Sequence, residues 1–351
     1  MIEAKPDIRS FLKEDLQQLA QEWNLPKFRA NQIYEWLWTK GATTFDQMTN
    51  LDKALRARLD DFFEIHSIHE DWVQKSVDGT IKTRFKLHDD SLIESVLIPV
   101  KKERRMTSCV SSQVGCSLSC KFCATGMMKR MRNLNPGEIY DQVRLLNEQS
   151  LAHFDQPLTN IVYMGMGEPL LNYKNVLRSI DLISSSSGLG FSPKRITIST
   201  AGIAKMIKRL AEDNPKVRLA LSLHAASDSK RSEIMPINNQ NNLEALMDAL
   251  SYFYQTTKNK ISYEYIAFQG FNDTEEDADM LVKLCKRFPV LVNIIEYNPI
   301  EGVSFVKSDS LTLSSFAAKI RNSGVMVTVR KSRGKDIDAA CGQLANKEKA
   351  I

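Results

Sequence analysis

"VGCSLSCKFCATG", Val114 to Gly126, places Cys116, Cys120 and Cys123 within eight residues of one another. That spacing is too tight, and the number too odd, for ordinary disulfide stapling. Six cysteines in 351 residues are also too few for a disulfide scaffold. Clustered cysteines in a chain without secretory features point to a metal or to catalysis. Three thiolates hold zinc if a fourth ligand comes from elsewhere, and they equally serve an iron–sulfur cluster. With three protein cysteines and four irons, one iron stays open to a small molecule, which suits catalysis. The spacing favours iron–sulfur and leaves zinc open.

Around this stretch the charge is uneven. Lys101 to Asn133 carries eight basic residues (Lys101, Lys102, Arg104, Arg105, Lys121, Lys129, Arg130 and Arg132) against one acid, Glu103, although the whole chain is only +5. A second basic group, Arg330, Lys331, Arg333 and Lys335, precedes Cys341. A charge run is ordinarily a solvated face, but two of them beside separate cysteine sites also fit a polyanionic substrate. The apolar and charged fractions, 43% and 25%, are those of an ordinary globular protein long enough to bury a large core. No run has the roughly 20 apolar residues of a membrane span. "MIEAKPDIRSFLKED" has no apolar signal core, so a cytoplasmic protein is expected.

Three sections are expected. Residues 1–65 read as helices, with apolar residues at three- and four-residue spacing in "LKEDLQQLAQEW", "RANQIYEWLWTK" and "LDKALRARLDDFF". Residues 66–106 form a short β extension, "DGTIKTRFKL" and "LIESVLIPV", with a turn at Asp78-Gly79. From Thr107 to 351, strands ending "TNIVYMG", "RITIST", "VRLALSLH", "ISYEYIAF", "LVNIIEYN" and "VMVTVRKS" alternate with helical stretches. Such alternation means parallel strands with helical crossovers. An open doubly wound sheet and a barrel both satisfy it. About six units point to a complete or partial TIM-type barrel, with the site at the C-terminal ends of the strands.

C-x3-C-x2-C with an aromatic before the last cysteine, opening an alternating strand–helix section, resembles the radical S-adenosylmethionine (SAM) superfamily. The resemblance implies an α/β radical SAM barrel, a [4Fe–4S] cluster on Cys116, Cys120 and Cys123, and SAM held on the open iron. The strand ends supply a rim for it. Gly167 and Glu168 lie in "YMGMGEPLLN", Ser199 in "TISTAG", Ser222, Leu223 and His224 in "LSLHAA", and Asn298 in "EYNPIEG". Alone, Gly-Glu-Pro is a turn and His224 a core or loop histidine. Four polar clusters at four strand ends make a coherent small-molecule site.

Cys109 and Cys341 do not fit the cluster spacing. A lone cysteine is ordinarily a small buried hydrophobe, and Cys285 is read so. Cys341 follows basic residues in a Gly-containing polar segment, surroundings that favour a thiolate. The chain from "FRANQIYEWLW" through "ESVLIP", "CVSSQVGC", "MGMGEPLLN" and "ISTAG" to "RKSRGKDIDAACGQL" resembles the RlmN/Cfr family of RNA adenine methyltransferases. The RlmN members methylate carbon 2 and the Cfr members carbon 8; the quoted motifs look more like the carbon-2 members.

Adenine carbon 2 is electron-poor and cannot take the methyl of SAM by simple displacement. The resemblance implies that Cys341 is methylated by one SAM, and that a second SAM yields a radical which activates this methyl for addition to adenine. Two SAM are thus used per turnover. It further implies that Glu94 is the proton acceptor and that Cys109 resolves the covalent adduct by forming a disulfide with Cys341. The implied substrates are 23S rRNA and tRNA, gripped through phosphates by the helical section and basic runs while the base is turned inward. An electron donor such as flavodoxin or ferredoxin, a thiol reductant, a monomeric state and no membrane are implied as well. The alternative from another class is a zinc-stabilised RNA-binding protein without catalysis.

Overall fold

The computed structural model describes residues 5–347. The outermost four residues of the expected sections 1–65 and 107–351 lie outside the described residues. Three helices open the chain: α1 (Lys13–Glu22), α2 (Phe28–Trp38) and α3 (Lys53–Phe62). They turn Leu16, Ala20, Ile33, Leu37, Leu55 and Leu59 inward, the apolar positions of the helical spacing.

A ten-stranded sheet follows. β1 (His69–Lys75), β2 (Ile81–Lys86), β3 (Leu92–Val100) and β4 (Arg105–Cys109) pair antiparallel in sequence. A small ladder of β5 (Gln113–Val114) and β6 (Arg132–Asn133) closes the base of the cysteine loop. β7 (Asn160–Tyr163), β8 (Ile196–Thr200), β9 (Arg218–Ser222), β10 (Ile261–Ala267), β11 (Val290–Glu296) and β12 (Met326–Arg330) then run parallel to β4 and to each other. β4 is the joint, antiparallel to β3 and parallel to β7. The β extension is therefore continuous with the barrel sheet.

Within the cysteine loop lies α4 (Ala124–Met127), and the crossovers carry α5 (Pro136–Phe154), α6 (Tyr173–Ser184), α7 (Ala204–Asp213), α8 (Asp228–Ile234), α9 (Leu243–Thr257), α10 (Glu275–Cys285) and α11 (Ser310–Asn322).

Strand side chains alternate between the two faces. One set (Ile161, Tyr163, Ile196, Ile198, Leu219, Leu221, Tyr263, Tyr265, Val292 and Ile294) is buried in the main core. These residues meet the helices: Tyr163 shares a hydroxyl hydrogen bond with Ser179 on α6, and Tyr265 stacks on Phe316 of α11 at 5.5 Å. The other set is largely polar and faces a concave interior.

The sheet wraps. Laid flat, nine strand spacings of about 4.8 Å would separate β1 from β12 by roughly 43 Å. Yet the turn joining β1 to β2 meets the segment after β12: Ser76 Oγ donates to Asp336 Oδ1 (2.5 Å), and the Gly334 N–H donates to Asp78 Oδ2 (3.0 Å). The strand order has no β1–β12 pairing, so the barrel is partial.

Candidate active site

The cysteine loop is gripped at three points. At its base Gly115, at φ +73°, approaches so closely that a Cβ would lie 2.3 Å from the Lys129 carbonyl oxygen. On one side the Lys121 N–H donates to the Ile234 carbonyl (3.0 Å), at the end of α8. On the other, Ala124 N–H donates to the Gly342 carbonyl (2.7 Å) and Thr125 Oγ1 to the Leu344 carbonyl (2.6 Å). Phe122, the aromatic before the last cysteine, packs edge-on to His224 at 4.7 Å.

The sulfurs fit a cationic cluster. Backbone N–H groups of Ser117 and Leu118 reach Cys116, and those of Thr125 and Gly126 reach Cys123. Burial pushes the Cys116 thiol up to about 11, and the Cys120 thiol further. Amide donors stabilise thiolates, whereas burial alone opposes them, so this donor set calls for a bound positive charge. Among the described residues no group of three or more His, Cys, Asp or Glu converges as around a single ion.

The strand-end residues surround this loop. Gly167, at φ +95°, lies against Gln113, where a Cβ would come within 2.5 Å of the glutamine's own. Gln113 Oε1 accepts the Glu168 N–H (2.9 Å), tying the cysteine loop to the Gly-Glu-Pro turn. Glu168 is buried and accepts backbone N–H bonds from Leu170 (3.0 Å) and Ala201 (2.7 Å). Burial raises its carboxyl to about 7 against the pull of those donors. Ser199 and Ser222 hydroxyls lie 3.4 Å apart.

Leu223 is wholly buried; its N–H donates to the Glu264 carbonyl and its own carbonyl accepts from Arg231 Nε. His224 takes φ +55° and accepts the Ile266 N–H on Nδ1 (3.0 Å). Burial, then the nearby Arg231, pushes its pKa down to about 3, so it is a neutral anchor for Phe122 with its proton on Nε2. Asn298 Nδ2 donates weakly to the Cys341 carbonyl (3.4 Å).

Cys109 and Glu94 share the inner face. Cys109 pairs with Val96 across β3–β4, and Glu94 lies two residues from Val96 on the same side. Glu94 is 1% exposed; its Oε2 accepts N–H bonds from Ala345 (2.9 Å) and Asn346 (3.2 Å), and Lys82 Nζ stands 3.4 Å from its Oε1. Cys341 is exposed to solvent but ringed by protein, within electrostatic reach of Cys109, Cys123, Glu264 and Arg330.

Its surroundings bear on the thiolate expected there. Burial first, then the Glu264 carboxylate, push the Cys341 thiol up to about 11, and Arg330 only partly opposes them. One cation of the basic run is spent elsewhere: Lys335 pairs with Glu296 at 2.6 Å. Arg132 departs from its reading as a free phosphate contact too. It forks between Glu138 and Asp89 at 2.6–2.9 Å. Lys121, Lys129 and Arg130 are exposed.

Two buried charges escaped sequence reasoning. Arg231 is fully buried and spans the strand ends of β8 and β9, donating to the carbonyls of Ala201 (2.5 Å), Ser222 (3.2 Å) and Leu223 (3.1 Å). Desolvation lowers its pKa to about 10. Glu264 lies midway along β10. Neither sits in a motif; for Glu264 the only signal is a charge inside the strand run "ISYEYIAF".

Comparison with known proteins agrees with this geometry. The radical SAM superfamily model matches residues 110–282, and the ribosomal RNA large subunit methyltransferase N-terminal domain matches residues 7–65. A probable dual-specificity RNA methyltransferase RlmN of Flavobacterium johnsoniae is 53% identical over 99% of both chains. The dual-specificity RNA methyltransferase RlmN 2 of Myxococcus xanthus is 42% identical over 97% of this chain and 91% of that one. A crystal structure of a radical SAM methyltransferase from Sphaerobacter thermophilus superposes with a TM-score of 0.90 at 37% identity, covering 97% of this chain and 99% of that one. The family's cofactors are a [4Fe–4S] cluster and SAM, so the zinc alternative falls. With its radical SAM fold and this full-length likeness, the chain belongs to the RlmN family of radical SAM RNA methyltransferases.

Proposed function

We propose that this chain methylates carbon 2 of adenosine in 23S rRNA, at the peptidyl transferase centre, and in tRNA, 3′ of the anticodon. The observation that carries the reading is convergence. The cysteine loop, Cys109, Glu94 and Cys341 come from separate stretches of chain and meet at one concave face.

A bound [4Fe–4S] cluster with SAM supplies radical chemistry, and SAM also supplies the methyl group. Cys116, Cys120 and Cys123 hold the cluster. Gly167, Glu168, Ser199, Ser222, Leu223, His224 and Asn298 form the SAM rim, His224 by bracing Phe122. Cys341 takes the methyl on sulfur and presents its carbon to adenine carbon 2. Glu94 receives the carbon-2 proton, and Cys109 attacks the Cys341 sulfur, releasing methylated RNA and leaving a Cys109–Cys341 disulfide. A thiol reductant restores the pair, and flavodoxin or ferredoxin supplies electrons. Residues 1–65 hold folded RNA, 66–106 extend the sheet and contribute Glu94, and 107–351 carry the rest of the chemistry. The enzyme works as a cytoplasmic monomer away from the membrane; no helix among the described residues is long and apolar enough to cross one.

Mass spectrometry of nucleosides from RNA treated with the anaerobically reconstituted enzyme tests this. 2-Methyladenosine is expected, 8-methyladenosine would place the enzyme with the Cfr members, and unmodified RNA would refute the proposal. Replacing Cys116, Cys120 or Cys123 with Ala should abolish iron retention; a variant that keeps full iron and sulfide refutes that ligand set. Lys129→Ala with Arg130→Ala should weaken RNA binding and flatten its salt dependence, by up to about one unit of log–log slope for each phosphate no longer neutralised. Arg132 is left in place because its ion pairs serve the fold. An unchanged salt slope returns the run to a solvated face.

A further inference from the structure

Across the concave face, Ser222, Glu264, Asn293 and Thr328 lie in one row of register partners on β9, β10, β11 and β12. A row of this kind in a barrel interior is ordinarily filled by branched apolar side chains. Here it is wired by hydrogen bonds. Thr328 Oγ1 donates to Asn293 Oδ1 (2.5 Å), which sets the asparagine amide so that Nδ2 donates to Glu264 Oε1 (2.8 Å). Ser262 Oγ donates to the same Oε1 (2.8 Å). One carboxylate oxygen is thus satisfied twice, while Oε2 is buried and accepts no hydrogen bond from any of the described residues. The cation nearest to it, Arg330 Nη1, stands at 3.7 Å, beyond hydrogen-bonding distance.

A buried, oriented and unused acceptor is costly to keep. Its surroundings say which donor it awaits. Glu264 is an electrostatic neighbour of Cys341, and Arg330 leads outward to Lys331, Arg333 and Lys335. It therefore stands beside both the proposed methyl carrier and Arg330, the first residue of the basic run. An adenine presented to Cys341 by carbon 2 turns the same edge, with N1 and the exocyclic amine N6–H2, toward the neighbouring wall. That amine is a donor in adenine, where guanine and hypoxanthine carry an acceptor oxygen.

We propose that Glu264 is a specificity-determining residue, whose free Oε2 accepts a hydrogen bond from the N6 amine of the target adenosine, with Asn293, Ser262 and Thr328 holding the carboxylate in place. The inference rests on the proposed RNA adenine methylation. Arg330 balances the charge until the base arrives, and the filled row keeps the carboxylate from swinging away.

The test compares RNA carrying adenosine at the target position with the same RNA carrying purine riboside, which keeps carbon 2 and N1 but lacks the amine. Affinities are measured for the cluster-loaded wild type, Glu264→Gln and Glu264→Leu, with SAM affinity measured alongside. The wild type should prefer adenosine roughly ten- to hundredfold, the range for a hydrogen bond to a charged group. The preference should shrink in Glu264→Gln, which keeps a weaker acceptor, and fall to about onefold in Glu264→Leu. Because each enzyme is compared with itself on two RNAs, partial loss of folded protein cancels. An unchanged preference in Glu264→Leu overturns the inference, as does a fall in SAM affinity with the preference intact, since that would give the carboxylate to the cofactor. Failure of the wild type to methylate adenosine at all would instead overturn the function on which the inference rests.

Discussion

Protein carrying Cys109→Ala is expected to come through denaturing purification with RNA covalently attached, whereas Cys341→Ala, alone or combined with Cys109→Ala, carries none. The two thiols are asymmetric by placement. Cys341 is solvent-exposed on a segment pinned by Glu94 and Asn298, able to meet incoming SAM and base. Cys109 is buried at the end of β4, and burial, followed by the neighbouring Cys341, holds its thiol well above the usual range. It is held as a protonated thiol beside Cys341. Trimming it to alanine removes one sulfur from the inner face and leaves β4's ladder intact, so methyl transfer and carbon–carbon bond formation proceed and only release stops. A denaturing gel with and without nuclease reads the result. Misfolding cannot mimic it, since a damaged site traps nothing. Absence of adduct in folded, iron-loaded Cys109→Ala, or its presence in Cys341→Ala, would reverse the assigned roles.

Arg9→Ala should cost about 3–5 kcal/mol, the range for stranding one partner of a buried ion pair. Arg9 is 4% exposed and reaches from the helical section into the barrel. Its fork meets both oxygens of Asp141 on α5, at 2.7 and 3.0 Å, and it donates further to the carbonyls of His66 and Gly137 while lying 4.9 Å over the Trp38 ring. Without it Asp141 is left buried with the Ile68 N–H at 3.4 Å and Arg144 Nε at 3.6 Å. Replacing both partners with apolar residues, Arg9→Met with Asp141→Leu, should recover much of the loss, because no charge is then abandoned. Urea unfolding followed by tryptophan fluorescence suits the question, since Trp23, Trp36 and Trp38 are three of the four tryptophans and all lie in the helical section. A midpoint for Arg9→Ala equal to wild type would show that the pair does not hold the two parts together.

What was legible in the sequence was whatever neighbours itself along the chain. Cys116, Cys120 and Cys123 are local, and Glu168, Ser199 and Ser222 each end an apolar run whose strand character is local too. The partners of Glu94 were not, because Ala345 and Asn346 lie some 250 residues away and meet it only once the sheet has wrapped. Nothing local singles out Arg231, since the three carbonyls it joins belong to other strand ends. The basic runs were visible as composition, but which cations are spent on internal carboxylates, as Arg132 and Lys335 are, depends on tertiary neighbours. Glu264, whose charge opposes the thiolate expected at Cys341, comes from another strand as well.

The gap between β1 and β12 gives the barrel wall two kinds of mechanical joint. Everywhere else neighbouring strands are stitched by repeated backbone ladders that yield only together. At the gap the wall is buttoned by single bonds, Ser76 and Val77 to Asp336 and Asp78 to Gly334, and further along the same C-terminal segment Ala345 and Asn346 are tied singly to Glu94 of β3. Buttons can be undone one at a time, each at the modest net cost of one hydrogen bond. In amide hydrogen exchange the N–H groups of Gly334, Ala345 and Asn346 should therefore lose protection ahead of those in β8, β9 and β10, which open only with the sheet. The molecule has a zip around most of its circumference and a placket along one side, and Cys341 is sewn to the placket.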